Sequence, residues 1–320
     1  MVSQGKELKI TDKTKLLQVI ADNVEKAIFG KREVIELSIC AFLCGGHILI
    51  EDIPGVGKTS LASALARSFA CSFRRIQFTP DIMPSDITGF NMYNPKSGEF
   101  EYKEGLITAQ IILADEINRT PPKTQSSLME IMEENQTTVD GKTYPMPKPF
   151  IVLATQNPVE HSGTYPLPES QLDRFFMRIS MGYPAFDIES DMLSALNSGH
   201  PLDTLTAVAC DLDLIELQNA LSSVYVSKKI SDYIISIVTH IRQNDSVSIG
   251  ASPRASLCLF RAAQAWAIYN GRDYACPDDV IKMAPHILEH RISLKQDAKM
   301  KKITSASVVK SALDNVKVPV

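Results

Sequence analysis

The rhythm of hydrophobic and polar positions changes about halfway along the 320-residue chain. In the first part, short and almost continuously apolar runs alternate with helical segments, as is typical of a parallel β-sheet covered on both faces. These runs predict five strands, at His47–Ile50, Phe73–Phe78, Ile111–Asp115, Phe150–Thr155 and Phe176–Ser180. We therefore expect residues 1–202 to form an α/β domain with helices on both sides of its sheet.

After Tyr183-Pro184 the apolar residues follow a helical spacing instead. One apolar stripe runs from Ile230 to Ile241, and Ser252-Pro253 is typical of a helix start, with serine as the N-cap. The pattern predicts an all-helical domain over residues 203–320, which follows a linker at about residues 197–203.

Two polar, β-prone segments interrupt the predicted α/β domain. Asp140-Gly141 suits a type I′ turn, so residues 136–145 are predicted to form a β-hairpin. Residues 89–102 predict a second hairpin, with a longer loop at residues 94–98. We expect both hairpins to be inserts in the first domain.

A glycine loop between the first strand and a helix carries the most informative chemistry. Gly55 and Gly57 let the backbone turn several N–H groups towards one anion, and the helix that starts at Lys58 adds its positive dipole end. Lys58 can reach the β- and γ-phosphates of a nucleotide, and the Thr59 hydroxyl can hold Mg²⁺. The residues predicted to bind nucleotide here are Pro54, Gly55, Val56, Gly57, Lys58, Thr59 and Ser60.

This loop departs from the strict phosphate-loop pattern at one position. The pattern G-x-x-x-x-G-K-[ST] requires glycine where this chain has Asp52. Taken alone, Gly57-Lys58-Thr59 is therefore also compatible with an ordinary turn.

Two carboxylates at the end of the third predicted strand would complete a Mg-nucleotide site. Asp115 is placed to bind Mg²⁺, either directly or through water, and Glu116 to polarise an attacking water. Two acids after a strand are otherwise compatible with a helix N-cap. Because the glycine loop and the acidic pair complement each other, together they favour a Mg-nucleotide site.

Composition disfavours several classes of protein. The chain is 44% hydrophobic and 22% charged, and no apolar run reaches the length of a membrane span. The net charge of −4, without a basic stripe, disfavours nucleic acid as the main partner. The six cysteines form no C-x-x-C pair and are expected to be reduced thiols. Since the N-terminus lacks a signal-peptide core, we expect a cytoplasmic protein.

With these motifs in order, the chain resembles AAA+ ATPases and, among them, the MoxR family. The resemblance covers about residues 12–300, and an acid at the place of Asp52 is usual in that family. Its signatures are Leu49-Ile-Glu-Asp-Ile-Pro-Gly-Val-Gly-Lys-Thr59, Leu113-Ala-Asp-Glu-Ile-Asn-Arg119 with the following Pro121-Pro-Lys-Thr-Gln125, Ala154-Thr-Gln-Asn-Pro158 and Leu167-Pro-Glu-Ser-Gln-Leu-Asp-Arg-Phe175.

The resemblance implies roles for residues outside the loop and the acidic pair. Asn157 matches sensor 1, which either orients the attacking water or touches the γ-phosphate; a turn asparagine is the alternative. Arg174 matches the arginine finger that acts on a neighbouring subunit, with a surface ion pair as the alternative and Arg119 as a second candidate. Arg254 matches sensor 2, and Phe29-Gly30 matches the segment that lies against adenine.

The same resemblance implies Mg-dependent ATP hydrolysis in an oligomeric ring, expected to be a hexamer. The work would be chaperone-like remodelling, maturation or metal-cofactor insertion on partner proteins, often ones with a von Willebrand factor A domain. The two hairpins would face the central channel of the ring. A nucleic-acid-dependent motor and a nucleotide-gated scaffold with little turnover remain alternative functions. His286 and His290 fit an H-x-x-E-H pattern, but zinc is disfavoured because no third ligand is evident.

Overall fold

A computed structural model of the chain describes residues 10–157, 163–196 and 201–319. It contains two compact units, one comprising Asn23–Ile215 and the other Met1–Asp22 with Glu216–Val320. The domain boundary expected at residues 202–203 stays a prediction. Of the expected linker, residues 197–200 lie outside the described residues, and Pro201–Thr204 form a 3₁₀ turn.

The first part of the described chain alternates helices and strands. Its elements are α1 (Ile10–Glu25), α2 (Arg32–Leu43), β1 (Ile48–Glu51), α3 (Lys58–Ser68), β2 (Phe73–Gln77), α4 (Pro84–Thr88), β3 (Phe90–Asn94), β4 (Glu99–Lys103), β5 (Ile111–Asp115), α5 (Pro122–Glu134), β6 (Gln136–Val139), β7 (Lys142–Pro145), β8 (Ile151–Gln156), α6 (Glu169–Leu172), β9 (Met177–Ile179), α7 (Phe186–Leu196) and α8 (Asp211–Ala220).

Five of these strands form one parallel sheet in the order β2-β5-β8-β1-β9. All five were predicted from apolar runs, and the α/β fold is confirmed. Every residue of β5 is buried, as expected of a strand with both faces covered. Because β8 lies between β5 and β1, the residues that follow these three strands come together at one edge of the sheet.

The hydrophobic core of this unit fills the space between one sheet face and α5. Buried side chains on the sheet side include Ile112 and Val152, and Leu128 and Met132 pack on them from α5. On the other face, α3 packs on the sheet through buried residues such as Leu61 and Leu65. Burial on both sides fixes the strand ends that carry the polar residues.

Two antiparallel hairpins, β3–β4 and β6–β7, extend from this sheet unit. Asp140 and Gly141 at the second turn have φ values of 49° and 80°, the positive values that a type I′ turn requires. The two hairpins contact each other, because the rings of Tyr102 and Tyr144 stack with centroids 3.8 Å apart.

The second unit is mainly helical, as predicted. Its elements from residue 228 onwards are α9 (Lys228–Arg242), β10 (Val247–Ile249), α10 (Pro253–Tyr269), α11 (Pro277–Leu288), β11 (Ser293–Leu294), α12 (Gln296–Met300) and α13 (Ser305–Asn315).

One feature of this unit differs from the all-helical prediction. Strands β10 and β11 pair into a small antiparallel ribbon. Strands of two or three residues are too short to show a period-2 pattern, which is why the sequence gives no signal for them. The predicted start of α10 is confirmed, since the Ser252 side chain caps it by accepting the Ala255 N–H.

Candidate functional site

The glycine loop turns at the C-terminal end of β1 and leads directly into α3, which begins at Lys58. Gly55 and Gly57 have φ values of 84° and 93°, a left-handed conformation that residues with a Cβ rarely adopt. No described atom lies within 4 Å of the place that a Cβ on Gly55 would take. The loop is therefore uncrowded at Gly55, and it leads into the helix N-terminus, where backbone N–H groups can bind an anion.

A cavity of about 360 Å³, here called the phosphate-side cavity, lies beside this loop. The described residues that line it are Pro54, Gly55, Gly57, Lys58, Thr59, Arg75, Gln77, Asp115, Glu116 and Asn157. The loop after β1, the acidic pair at the end of β5 and the asparagine after β8 thus meet around one space, as the strand order requires. Arg75 and Gln77 were not among the predicted site residues.

Lys58 reaches into this cavity from the first turn of α3. Its Nζ donates a hydrogen bond to the backbone oxygen of Asp52 at 2.7 Å. Burial lowers the pKa of the Lys58 ammonium below its ordinary value, while the nearby charges of Asp115, Asp52 and Glu116 oppose that shift. A partly desolvated ammonium among carboxylates is suited to exchange its present acceptor for a phosphate oxygen.

Both oxygens of the Asp115 carboxylate are engaged. Thr155 donates its hydroxyl to Oδ1 at 2.6 Å. Arg75 donates to Oδ2 twice, from Nε at 3.0 Å and from Nη2 at 2.7 Å. The side chain of Asp115 is only 12% exposed, so its position is set by these partners.

Glu116 stands just beyond the strand in a left-handed backbone conformation, with φ of 57°. Its N–H donates to the Thr155 hydroxyl at 2.9 Å, which ties it to β8. Its Oε2 accepts a hydrogen bond from Gln77 at 2.7 Å and forms an ion pair with Arg119 at 3.0 Å. Arg119, the second candidate for a contact in trans, thus pairs with Glu116 of its own chain.

Arg75 and Gln77 were missed although the sequence carries a signal for them. They occupy alternate positions of β2 and so share one face of an edge strand. Two long polar side chains on one face are unusual in a sheet covered on both sides. These two side chains reach the acidic pair because β2 pairs with β5, which aligns Gln77 with Asp115. A single sequence does not reveal that pairing.

Asp52, the departure from the strict pattern, has a structural explanation. Its Oδ1 accepts the N–H of Ile53 at 2.9 Å. Its Oδ2 accepts the Ser180 hydroxyl and the N–H groups of Met181 and Gly182, at 2.9, 2.6 and 2.7 Å. Burial alone would raise the pKa of this carboxyl, but the hydrogen bonds outweigh burial and lower the pKa below its ordinary value.

A second cavity, of about 380 Å³ and here called the base-side cavity, opens on the other side of the glycine loop. Its described lining residues are Ala27, Ile28, Phe29, Lys31, Pro54, Gly55, Val56, Gly57, Ser60, Met181, Tyr183, Pro184, Glu189 and Met192. The lining is mostly apolar, which suits a flat base. Gly30, next in the chain to Phe29, has φ of 64°, and a Cβ there would stand 2.9 Å from Ile188 Cγ1, so this position favours glycine.

Comparisons with known proteins agree with this geometry. Residues 47–177 match the family model "ATPase family associated with various cellular activities (AAA)", and residues 239–312 match the model of an AAA lid domain. Chaperone MoxR1 of Mycobacterium tuberculosis is 39% identical over 305 residues, which span 92% of this chain and 80% of that protein. The chain belongs to the MoxR family of AAA+ ATPases.

Other relatives support the same assignment. The uncharacterized protein YeaC of Bacillus subtilis is 50% identical over 95% of both chains. Protein MoxR of Methylorubrum extorquens is 29% identical over 87% of this chain and 88% of its own length. The crystal structure of a proposed ATPase from Cytophaga hutchinsonii superposes with a TM-score of 0.90 at 37% identity and covers 97% of both chains. The chain is thus a MoxR-family ATPase with a chaperone-like role.

In this MoxR-family ATPase, Arg174 lies away from the residues that line the phosphate-side cavity. It follows α6 and forms an ion pair with Glu133 of α5 at 3.3 Å. It lines a separate depression of about 450 Å³ together with Ser126, Met129, Glu130, Glu133, Glu134, Ser170 and Gln171. The surface ion pair that the sequence left open is therefore present, and the role of Arg174 in trans stays a prediction.

Arg254 stands in the first turn of α10, in the second compact unit of the MoxR-family chain. Its role as sensor 2 stays a prediction. Asn157 lines the phosphate-side cavity and is 9% exposed, but Pro158, which completes its motif, lies outside the described residues. Among the described residues, no helix has the length and apolar character needed to cross a membrane.

Proposed function

We propose that this MoxR-family ATPase hydrolyses Mg-ATP in an oligomeric ring, expected to be a hexamer. The reaction would drive remodelling, maturation or metal-cofactor insertion on partner proteins, including ones with a von Willebrand factor A domain. The proposed ATP hydrolysis rests on one observation. The side chains that line a single cavity include Lys58, Thr59, Asp115, Glu116 and Asn157.

The residues present fit Mg-ATP. Mg²⁺ prefers oxygen ligands, and the Thr59 hydroxyl and the Asp115 carboxylate line the same cavity. When bound there, Mg²⁺ supplies positive charge against the phosphate oxygens. On the other side of the loop, Phe29 and Met181 line a mostly apolar cavity that suits adenine.

Each side chain has a distinct task in this proposal. Lys58 and the loop N–H groups bind the phosphates in a fixed orientation. Glu116 orients the attacking water and accepts its proton, and Asn157 donates its amide either to that water or to the γ-phosphate. Arg174 is proposed to complete the site of a neighbouring subunit, and Arg254 to reach the γ-phosphate as sensor 2.

Two variants test nucleotide capture and chemistry separately. Lys58→Ala should lose most of the ATP affinity measured by calorimetry while its thermal unfolding stays close to that of the wild type. Glu116→Gln should still bind Mg-ATP but lose turnover by about 10²–10⁴-fold, the usual contribution of a general base. Unchanged ATP affinity in Lys58→Ala would refute the phosphate-loop assignment.

The same assays separate the rival functions. Slow hydrolysis that Glu116→Gln does not change would identify a nucleotide-gated scaffold instead of an enzyme. Hydrolysis stimulated by DNA, with DNA affinity that falls steeply as salt rises, would identify a nucleic-acid motor. For the proposed function we expect neither behaviour.

A further inference from the structure

Among the contacts described above, Arg75 makes the closest cationic contact to Asp115, one of the two proposed metal ligands. Two of its nitrogens converge on a single oxygen of Asp115, at 3.0 and 2.7 Å, and Thr155 occupies the other oxygen. The guanidinium also donates to Gln77 Oε1 at 3.0 Å. A cation that binds Asp115 through Oδ2 must therefore displace Arg75.

The position of Arg75 follows from the sheet register. Arg75 is aligned with Leu113 and Gln77 with Asp115, so both β2 side chains project on the same face as the acidic residue. The neighbouring Arg74 projects on the opposite face, where it donates to Leu106 O and the Thr108 hydroxyl. The chain thus carries two adjacent arginines, of which only one can reach Asp115.

The contact is easily exchanged. The Arg75 side chain is 50% exposed, and an ion pair with so much solvent contact contributes little free energy. Mg²⁺ carries twice the charge and approaches a carboxylate oxygen to about 2.0–2.1 Å. After displacement the half-exposed guanidinium can extend into solvent.

We propose that Arg75 is a positioning residue that competes with Mg²⁺ for Asp115. It holds the carboxylate in the direction of the cavity and gives way when Mg-nucleotide binds. The inference rests on the proposed function, because it assumes that Asp115 binds Mg²⁺ at a nucleotide site.

The test measures how strongly metal and nucleotide binding are coupled, without turnover. A fluorescent ADP analogue is titrated onto the full-length protein in EDTA and in saturating Mg²⁺. The Kd in EDTA divided by the Kd in Mg²⁺ is the coupling ratio. ADP is used because it lacks the γ-phosphate and is not hydrolysed. Arg75→Gln removes the competing charge and should raise the ratio by about 2–5-fold, the equivalent of one exposed ion pair.

Two further variants make the result specific. Arg74→Gln removes the same charge from the adjacent position and should leave the ratio unchanged. Arg75→Lys restores the charge without the paired donors and should give a ratio between those of the wild type and Arg75→Gln. A merely structural role of Arg75 would weaken ADP binding equally with and without Mg²⁺ and leave the ratio as in the wild type.

An unchanged or lowered ratio in Arg75→Gln would overturn the inference. If the wild type still couples Mg²⁺ to ADP and Lys58→Ala does not bind, the proposed function would stand without it. If the wild type binds the analogue no better than Lys58→Ala under either condition, the proposed function and the inference both fail.

Discussion

The carboxylate of Asp52 accepts the backbone N–H of Met181 at 2.6 Å and so joins the start of the glycine loop to the chain after β9. The neighbouring Gly182 N–H binds the same oxygen at 2.7 Å. Met181 lines the base-side cavity, and the loop itself borders both cavities. One buried acid thus fixes the distance between the parts that are proposed to hold the base and the phosphates.

Replacing Asp52 by glycine, the residue of the strict phosphate-loop pattern, should therefore destabilise the folded protein. In Asp52→Gly the N–H groups of Met181 and Gly182 lose a charged acceptor at a position where Asp52 is 8% exposed. We expect the free energy of unfolding to fall by about 2–4 kcal/mol and ATP affinity to fall with it. Chemical denaturation and calorimetry measure the two effects.

Asp52→Asn is the matched control, because it keeps an acceptor oxygen but loses the charge. The lowered pKa of Asp52 stabilises the fold above the ordinary value of 3.8, and this stabilisation is lost as the pH falls through the folded-state pKa. The stability difference between the wild type and Asp52→Asn should therefore be full at neutral pH and shrink below about pH 3.8. Equal stability of Asp52→Gly and the wild type at pH 7 would contradict the assignment.

Much of the fold could be predicted because burial leaves a direct trace in the sequence. The apolar run from Ile111 to Asp115 is a buried strand in the structure, as predicted. The helix after the loop begins at Lys58, as predicted. The loop and the acidic pair were found because each motif is contiguous in sequence.

The remaining contacts depend on which strands are neighbours, and a single sequence does not give that order. Arg75 matters only because β2 pairs with β5, and Thr155 only because β8 pairs with β5. The stacking of Tyr102 on Tyr144 likewise joins segments that are far apart in the chain. The contacts of such residues can be predicted only when the register of the strands is known.

The tip of the β6–β7 hairpin should affect client handling more than hydrolysis. Gly141 has φ of 80°, and no described atom lies within 4 Å of the place of its Cβ, so valine there introduces backbone strain without a clash. Gly141→Val should reduce the suppression of aggregation of a chemically denatured model protein, followed by light scattering. Basal ATP turnover should change much less, because the turn lies outside the residues that line the phosphate-side cavity.

Gly271→Val is the control for strain alone. Gly271 has φ of 76° and its nearest atom to a Cβ is Thr14 Oγ1 at 3.7 Å, an ordinary contact, and it belongs to the other compact unit. This variant should carry similar backbone strain without the loss of aggregation suppression. Equal loss of suppression and turnover in Gly141→Val would give the hairpin a structural role instead.

His47 should make the stability of the protein depend on pH. Its ring is buried, Nδ1 accepts the Val152 N–H at 3.0 Å, and Nε2 lies 2.8 Å from the carbonyl oxygen of Met132, to which it donates in the neutral form. Burial lowers the pKa of His47 from 6.5 to about 4, against the opposing effect of the Met132 hydrogen bond. As the pH falls from 6.5 to 4, the unfolded chain gains a proton that the folded chain excludes, so stability decreases.

The decrease attributable to His47 should reach about 3 kcal/mol at pH 4. His47→Gln keeps a donor and an acceptor but does not titrate, and its free energy of unfolding should fall less over the same range. Urea denaturation of both proteins at several pH values isolates this group, since the acidic residues titrate in both. Parallel pH profiles would show that His47 is protonated without cost in the folded state.

Arg174 is expected to act in catalysis on the nucleotide of a neighbouring subunit. Arg174 keeps its charge at any working pH and is suited to stabilise negative charge that develops on a transferred phosphoryl group. Arginine fingers contribute about 10³–10⁵-fold in rate, or roughly 4–7 kcal/mol of barrier. Since Arg174 lies outside the cavity lined by Lys58 and Asp115 of its own chain, Arg174→Ala should bind ATP nearly normally and hydrolyse it poorly.

Mixing two inactive variants tests whether the arginine acts across an interface. Lys58→Ala subunits are expected not to bind ATP but still carry Arg174, and Arg174→Ala subunits keep an intact pocket. The mixture should recover part of the activity, and wild-type activity should rise faster than linearly with protein concentration while rings assemble. The ion pair with Glu133 is compatible with this role only if Arg174 leaves it at the interface. No recovery despite confirmed co-assembly, or full hydrolysis by a demonstrated monomer, would refute the role in trans. Recovery that is lost only when the Lys58→Ala subunit also carries Arg119→Ala would transfer the role to Arg119.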